Sequence, residues 1–149
     1  MRTATPRKAA ARSDAGLSRT KALVRRFERC QLPLDSFNHR EHLAVALFYL
    51  TQMPVQEAVH QFRTAILRFI QHYNETGYNE TITMFWLNLI ARFLMKSAPA
   101  RPITDMLDEL LETYGDSHLI YTYYSRDLLM SDQAKTTWIA PDLKTKDEG

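Results

Sequence analysis

Tyr-Asn-Glu-Thr is written twice in this chain, at Tyr73–Thr76 and at Tyr78–Thr81, with only Gly77 between the copies. Each copy falls at a boundary. The residues before the first copy recur at helical spacing, and a long apolar run follows the second. Gly77 is expected to supply the left-handed backbone at which helices stop. Asn79 is expected to cap the next helix by accepting a bond from one of its free amides. From Ile82 to Leu94 nearly every residue is apolar, so that helix must be covered on all sides. The pattern predicts a polar, acid-bearing cluster at the mouth of a buried helix.

The rest of the chain is read from the same periodicity. Leu43 to Leu50 are also apolar all round, which makes a helix over 39–51 the second central rod. Asn38 followed by Glu41 has the spacing of a capping box at its start. Val55, Ala58, Val59, Phe62, Ile66, Phe69, Ile70 and Tyr73 form one stripe of a third, amphipathic helix, with His60 and Arg63 away from the stripe. A fourth helix spans about 80–96. A fifth is expected to start at Thr104 and stop at Gly115, and shorter segments follow up to Pro141. No alternating strand pattern persists. The expected fold is all-α, a compact single-domain bundle of five to seven helices with 39–51 and 80–96 at its centre.

Charge is spread unevenly. The net charge is only +2, but residues 1–26 hold eight arginines and lysines against Asp14 alone. Such a composition cannot bury a core, so residues 1–16 are expected to be a disordered basic leader, 17–143 the helical domain and 144–149 a flexible tail. A basic leader raises nucleic acid as a partner. Without interleaved aromatics or a reading helix, that partner ranks last. Cys30 is the only cysteine, which excludes an internal disulfide. No membrane-length apolar run and no secretory core are present, so a cytoplasmic protein is the expectation. An apolar helix face left over after packing would make a homodimer.

Two sets of residues point to chemistry. His39 and His42 stand three apart, on one helix face and in a first turn, where the helix dipole favours the neutral imidazole. Glu80 begins an otherwise apolar helix, where desolvation would raise its pKa into the useful acid–base range. If the two helix ends meet, His42 and Glu80 are the candidate catalytic groups. Tyr49, Tyr78, Asn79, Thr83 and Trp86 are then the candidate substrate-binding residues. His39, His42 and Glu80 are also the donor set expected for one divalent metal ion, with His118 a candidate fourth ligand. The functional expectation is a small-molecule enzyme or ligand-binding protein, metal-assisted or acid–base. The alternative is a non-catalytic helical interaction or ligand-binding module in which the same residues are caps and a buried hydrogen-bond network.

The segments Phe37-Asn38-His39-Arg40-Glu41-His42-Leu43 and Gly77-Tyr78-Asn79-Glu80-Thr81-Ile82-Thr83 resemble a group of small bacterial all-helical proteins. In that group a Phe-x-His-x-x-His-Leu segment precedes a Tyr-His-Glu-Thr-x-Thr segment. The ending from Ala134 to Pro141-Asp142-Leu143 is similar as well, so the likeness spans roughly residues 30–143. It implies that the histidine and Glu-Thr segments belong together, and it brings no activity with it. Asn79 stands where the group has a histidine.

Overall fold

The computed structural model describes residues 6–144, with side chains from Ser13 onward. Seven α-helices appear among the described residues: α1 Pro6–Glu28, α2 His39–Gln52, α3 Val55–His72, α4 Glu80–Lys96, α5 Ile103–Tyr114, α6 Arg126–Leu129 and α7 Asp132–Thr136. Two short 3₁₀ turns join them, Leu34–Ser36 and Ser117–Thr122, and no strand occurs among the described residues. The fold is all-α. Helix α2 packs on α1, α3, α4 and α5. That is why Leu43 through Leu47 are buried without a break, as their unbroken apolar run predicts. Helix α4 buries Phe85, Leu87, Leu89 and Ile90.

Two helix stops are made without glycine. Cys30 has φ 55°, and the Gln31 N–H bonds the Arg26 carbonyl at 2.8 Å while the Cys30 N–H bonds that of Phe27. Asn74, also at φ 55°, closes α3 in the same way through Glu75 to Ile70 and Asn74 to Gln71. This pairing of bonds satisfies the last free carbonyls of a helix. Gly77 is therefore not the stop the sequence suggested. It lies in the linker at φ 120°, a conformation open to glycine rather than the left-handed helical one.

Order begins earlier than composition implied. Helix α1 starts at Pro6, so residues 6–16 are helical rather than a disordered leader. The expectation for residues 1–5, and for 145–149 of the tail, lies outside the described residues. Packing against α5 explains the longer helix. Gly16 is buried where α1 meets Thr104, and a Cβ placed there would sit 1.8 Å from the Thr104 Oγ1. Thr104 is not the cap of α5 but lies in its first turn after Pro102, and its buried hydroxyl has no hydrogen-bond partner. The missing side chain at Gly16 is thus what lets two helices touch. Among the described residues, no helix is long and apolar enough to cross a membrane.

A substitution series tests this contact. Gly16→Ala should lose about 1–3 kcal/mol through overpacking. On a Thr104→Ala background the loss should vanish or reverse, because alanine is favoured over glycine inside a helix by about 1 kcal/mol. Urea denaturation of the four proteins measures the coupling. Additive effects would show that the two helices do not approach as described.

Candidate functional site

The start of α4 is built from side chains with opposite assignments. Asn79 caps the helix, its Oδ1 accepting the Ile82 N–H at 3.0 Å, while its amide nitrogen donates to the Leu129 carbonyl at 2.7 Å. Thr81 is fully buried. Its Oγ1 lies 2.8 Å from the Ala134 carbonyl and 3.0 Å from that of Thr137, and it accepts the Ile139 N–H at 3.3 Å. These two residues hold the returning C-terminal segment. Glu80 turns the other way, toward α3. Arg63 grips it with two bonds, Nε to Oε1 at 3.0 Å and Nη2 to Oε2 at 2.7 Å, and the Tyr78 hydroxyl donates to Oε1 at 2.5 Å.

The phase of the helix explains the split. At 100° per residue, Glu80 and Ile82 point to nearly opposite sides of α4. Met84, one turn on from Glu80, shares its side, and its sulfur lies 3.8 Å from Arg63 Nη2. Ile82 and Trp86 point away from Glu80, and with Thr83, Leu87 and Ile90 they line a cavity of about 380 Å³. Helix α2 supplies Asn38, His39, His42 and Ala46 to the same cavity, and the 3₁₀ turn Ser117–Thr122 covers it with His118 and Tyr121. A smaller annex of about 190 Å³ shares Phe37, His42, Ile82 and Thr83 with it and reaches Tyr78 and Asn79.

Three expectations are corrected here. The first concerns the His42–Glu80 acid–base pair. Glu80 does not line the cavity that His42 faces, and its carboxyl is not raised. Burial pushes it up, but the bonds from Arg63 and Tyr78 outweigh this and hold it below the usual value. The second concerns the metal. His39, His42 and Glu80 do not converge, and no group of three His, Cys, Asp or Glu side chains suited to a metal ion occurs among the described residues. His39 is engaged elsewhere. Its Nε2 donates to the Tyr114 carbonyl at 3.2 Å, and its ring meets Trp86 edge-on at 4.5 Å, nearly two turns along α4 from Glu80. The third concerns Tyr49, which lies about 10 Å further along α2 than His42. Its hydroxyl donates to Glu28 at 2.8 Å, and it is not part of the cavity lining. Burial, with the Glu28 bond, raises its pKa.

Thr83 and Trp86 are placed on the cavity, and Tyr78 and Asn79 on the annex. His118 stands at the rim, three-quarters exposed and 3.3 Å from Asp116. The role of Arg63 was missed. It falls off the apolar stripe of α3, and position alone gave it to solvent. The signal was Glu80 itself, since an acid on an apolar helix needs a countercharge.

His42 is the most unusual group. Its ring packs on Phe37 at 4.2 Å and faces Phe62 at 6.2 Å. Burial, and then the nearby His39, lower its pKa to about 4. At neutral pH it is therefore a neutral imidazole with one donor and one acceptor nitrogen. Neither nitrogen has a hydrogen-bond partner among the described residues, and neither is sealed from the cavity. Compared with known protein families, curated proteins and solved structures, the chain shows no match.

Two measurements test these electrostatics. A histidine whose folded pKa is depressed contributes stability that is complete above its unfolded value of 6.5 and is lost as pH falls toward 4. The unfolding free energy should fall by about 3 kcal/mol more over that window in the native protein than in His42→Gln. Equal pH slopes would place His42 in water. Glu80 has the same sign over a more acidic window: its stabilisation is present at neutral pH and lost as pH drops through its lowered pKa. Arg63→Ala should cost about 1–2 kcal/mol at pH 7, discounted for the one-third exposure of Arg63. The cost should shrink at pH 3. A pH-independent loss would point to packing of the arginine stem rather than to its charge.

Proposed function

We propose that this protein binds a small, mainly apolar ligand in the cavity between α2, α4 and the 3₁₀ turn Ser117–Thr122, with His42 as the group that reads it. The observation that carries this reading is the unpartnered, neutral imidazole of His42 on the wall of an aromatic cavity. The imidazole is half-buried and its nitrogens open only onto the cavity, so a ligand there can supply the hydrogen-bond partner that no protein group among the described residues provides. The volume of about 380 Å³ falls among ordinary small-molecule sites. Trp86 and Tyr121 bring rings to the lining, the Arg126 guanidinium already lying over one face of Tyr121 at 4.6 Å, and Thr83 adds a hydroxyl. A planar, uncharged heterocycle with at least one hydrogen-bonding atom suits this lining. A cation does not suit it, because no carboxylate lines the cavity.

The geometry supports binding over acid–base catalysis. An imidazole with a pKa near 4 is a weak base at neutral pH, and the neighbouring carboxylate is committed to Arg63. The resemblance to small bacterial helical proteins fits this reading in one respect: the Glu-Thr segment positions α4 and the histidine segment faces the cavity.

Indole, a neutral ring with one N–H donor, is a suitable probe. Titration followed by amide chemical shifts should give saturable binding, with shifts at His39, His42, Thr83 and Trp86. Ala46→Phe, which fills the cavity, should abolish it. His42→Phe should weaken it about tenfold, the worth of one hydrogen bond of about 1.4 kcal/mol. Indole binding that survives Ala46→Phe unchanged, or no binding at all, would overturn the reading.

A further inference from the structure

A second and larger cavity, of about 580 Å³, lies beyond the cavity that His42 faces. It is formed by the C-terminal half of α4, the connection after it and the outer end of α5. Its chemistry is different. Arg92, Lys96 and Arg101 contribute three cationic side chains, and Glu109 is the single acid. Arg101 is paired with Glu109 at 2.6 Å, which neutralises one charge of each sign. Arg92 and Lys96 remain. Neither has an ion-pair or hydrogen-bond partner among the described residues. They stand four apart on α4, hence on one face and one turn from each other. Arg92 is half-buried and Lys96 is exposed.

The rest of the wall is mixed, with three rings beside Leu89, Ala98, Ser97 and Thr113. Phe93, Tyr114 and Tyr123 line the cavity beside these cations. Tyr123 is itself fixed by its ring contact with Phe85 at 5.3 Å. Two uncompensated cations that would repel one another are placed beside flat apolar surfaces, in a space large enough for a small molecule. Like charges one turn apart destabilise a helix, and an anion seated between them removes that repulsion. A guanidinium also binds planar oxyanions through two parallel bonds, which an ammonium cannot do.

We propose that this cavity is a binding site for an organic oxyanion, a carboxylate or phosphate carried on a planar apolar body. The head group sits between Arg92 and Lys96, and the body lies against Phe93, Tyr114 and Tyr123. Arg101 is held at the far side by Glu109 and sets the edge of the site. This inference is independent of the ligand proposed for the His42 cavity, because the two linings have no residue in common.

The test uses the full chain and amide chemical shifts, which report where a probe sits. The probes are 1-naphthyl phosphate, 1-naphthoate, uncharged 1-naphthol and inorganic phosphate. At least one of the two naphthyl anions should shift residues 92–97, 101 and 113–114, with affinity at least tenfold above that of 1-naphthol at the same residues. Whichever anion binds more tightly identifies the head group. Binding should weaken as salt rises, since an exposed part of the attraction is screened. Arg92→Gln combined with Lys96→Gln should lower affinity tenfold or more, while indole shifts at His42 stay as in the native protein. Four results would overturn the proposal: naphthol matching the anions at these residues, inorganic phosphate binding as tightly as the naphthyl anions, an unaltered affinity in the double variant, or no binding there by either anion.

Discussion

Three consecutive side chains at the start of α4 hold the molecule together. Asn79 and Thr81 are buried polar groups, and burying a hydroxyl or amide without partners costs about 1–3 kcal/mol each. Their partners are backbone atoms of Leu129, Ala134, Thr137 and Ile139, roughly fifty residues away. Glu80, between them, is satisfied by α3 through Arg63 and by the neighbouring Tyr78 hydroxyl. The cluster is therefore satisfied only when α3, α4 and the C-terminal segment have all arrived. Apolar packing alone tolerates slippage of one helix along another. This set of bonds does not, so it fixes the register of α4 against its neighbours.

That register decides what the cavity can do. By turning Glu80 to the α3 side, the helix turns Ile82, Trp86 and Ile90 to the α2 side. The imidazoles of α2 are left facing rings and aliphatic groups instead of a carboxylate. Without a nearby anion, nothing offsets the burial of His42, and its proton is lost. His39 sits only three residues away, but its Nε2 is taken by the Tyr114 carbonyl. Two histidines that look equivalent in sequence are thus divided, one bonded to the Tyr114 carbonyl and one facing the cavity without a protein partner among the described residues.

The helices were legible because their apolar periods are strong, and the two central rods announced themselves by having no polar face. The site was only half legible. Both segments proved close in space, but the assumption that converging helix ends bring every end residue together ignored rotation about the axis. The phase of Glu80 relative to Ile82 was available from the sequence, and it already separated the carboxylate from Trp86. Other features were not available. Cys30 and Asn74 make left-handed stops that their residue types only permit. Helix α1 meets α5 where Gly16 lies against Thr104, a contact between segments 88 positions apart in sequence. Local composition registers the arginines there and not the partner helix.

The polar residues of α4 show why one helix serves two cavities. Helix α4 buries Thr81, Phe85, Leu87, Leu89 and Ile90 but no residue beyond them, so it is not covered all round as its apolar run implied, and its charges stand at its start and along its less covered C-terminal part. At the N-terminal end the charge is Glu80, and the structure answers it internally with Arg63. At the C-terminal end Lys96 lies among the unsatisfied carbonyls, where a cation is favoured. Arg92, a turn earlier, gains less from those carbonyls and has no acid among the described residues to answer it. The asymmetry is physical: one end of α4 is closed by an internal ion pair, and the other is left with surplus positive charge beside exposed ring faces. A fold that spends an arginine to neutralise Glu80, yet leaves Arg92 unanswered in a cavity, has left room for the anion to come from outside.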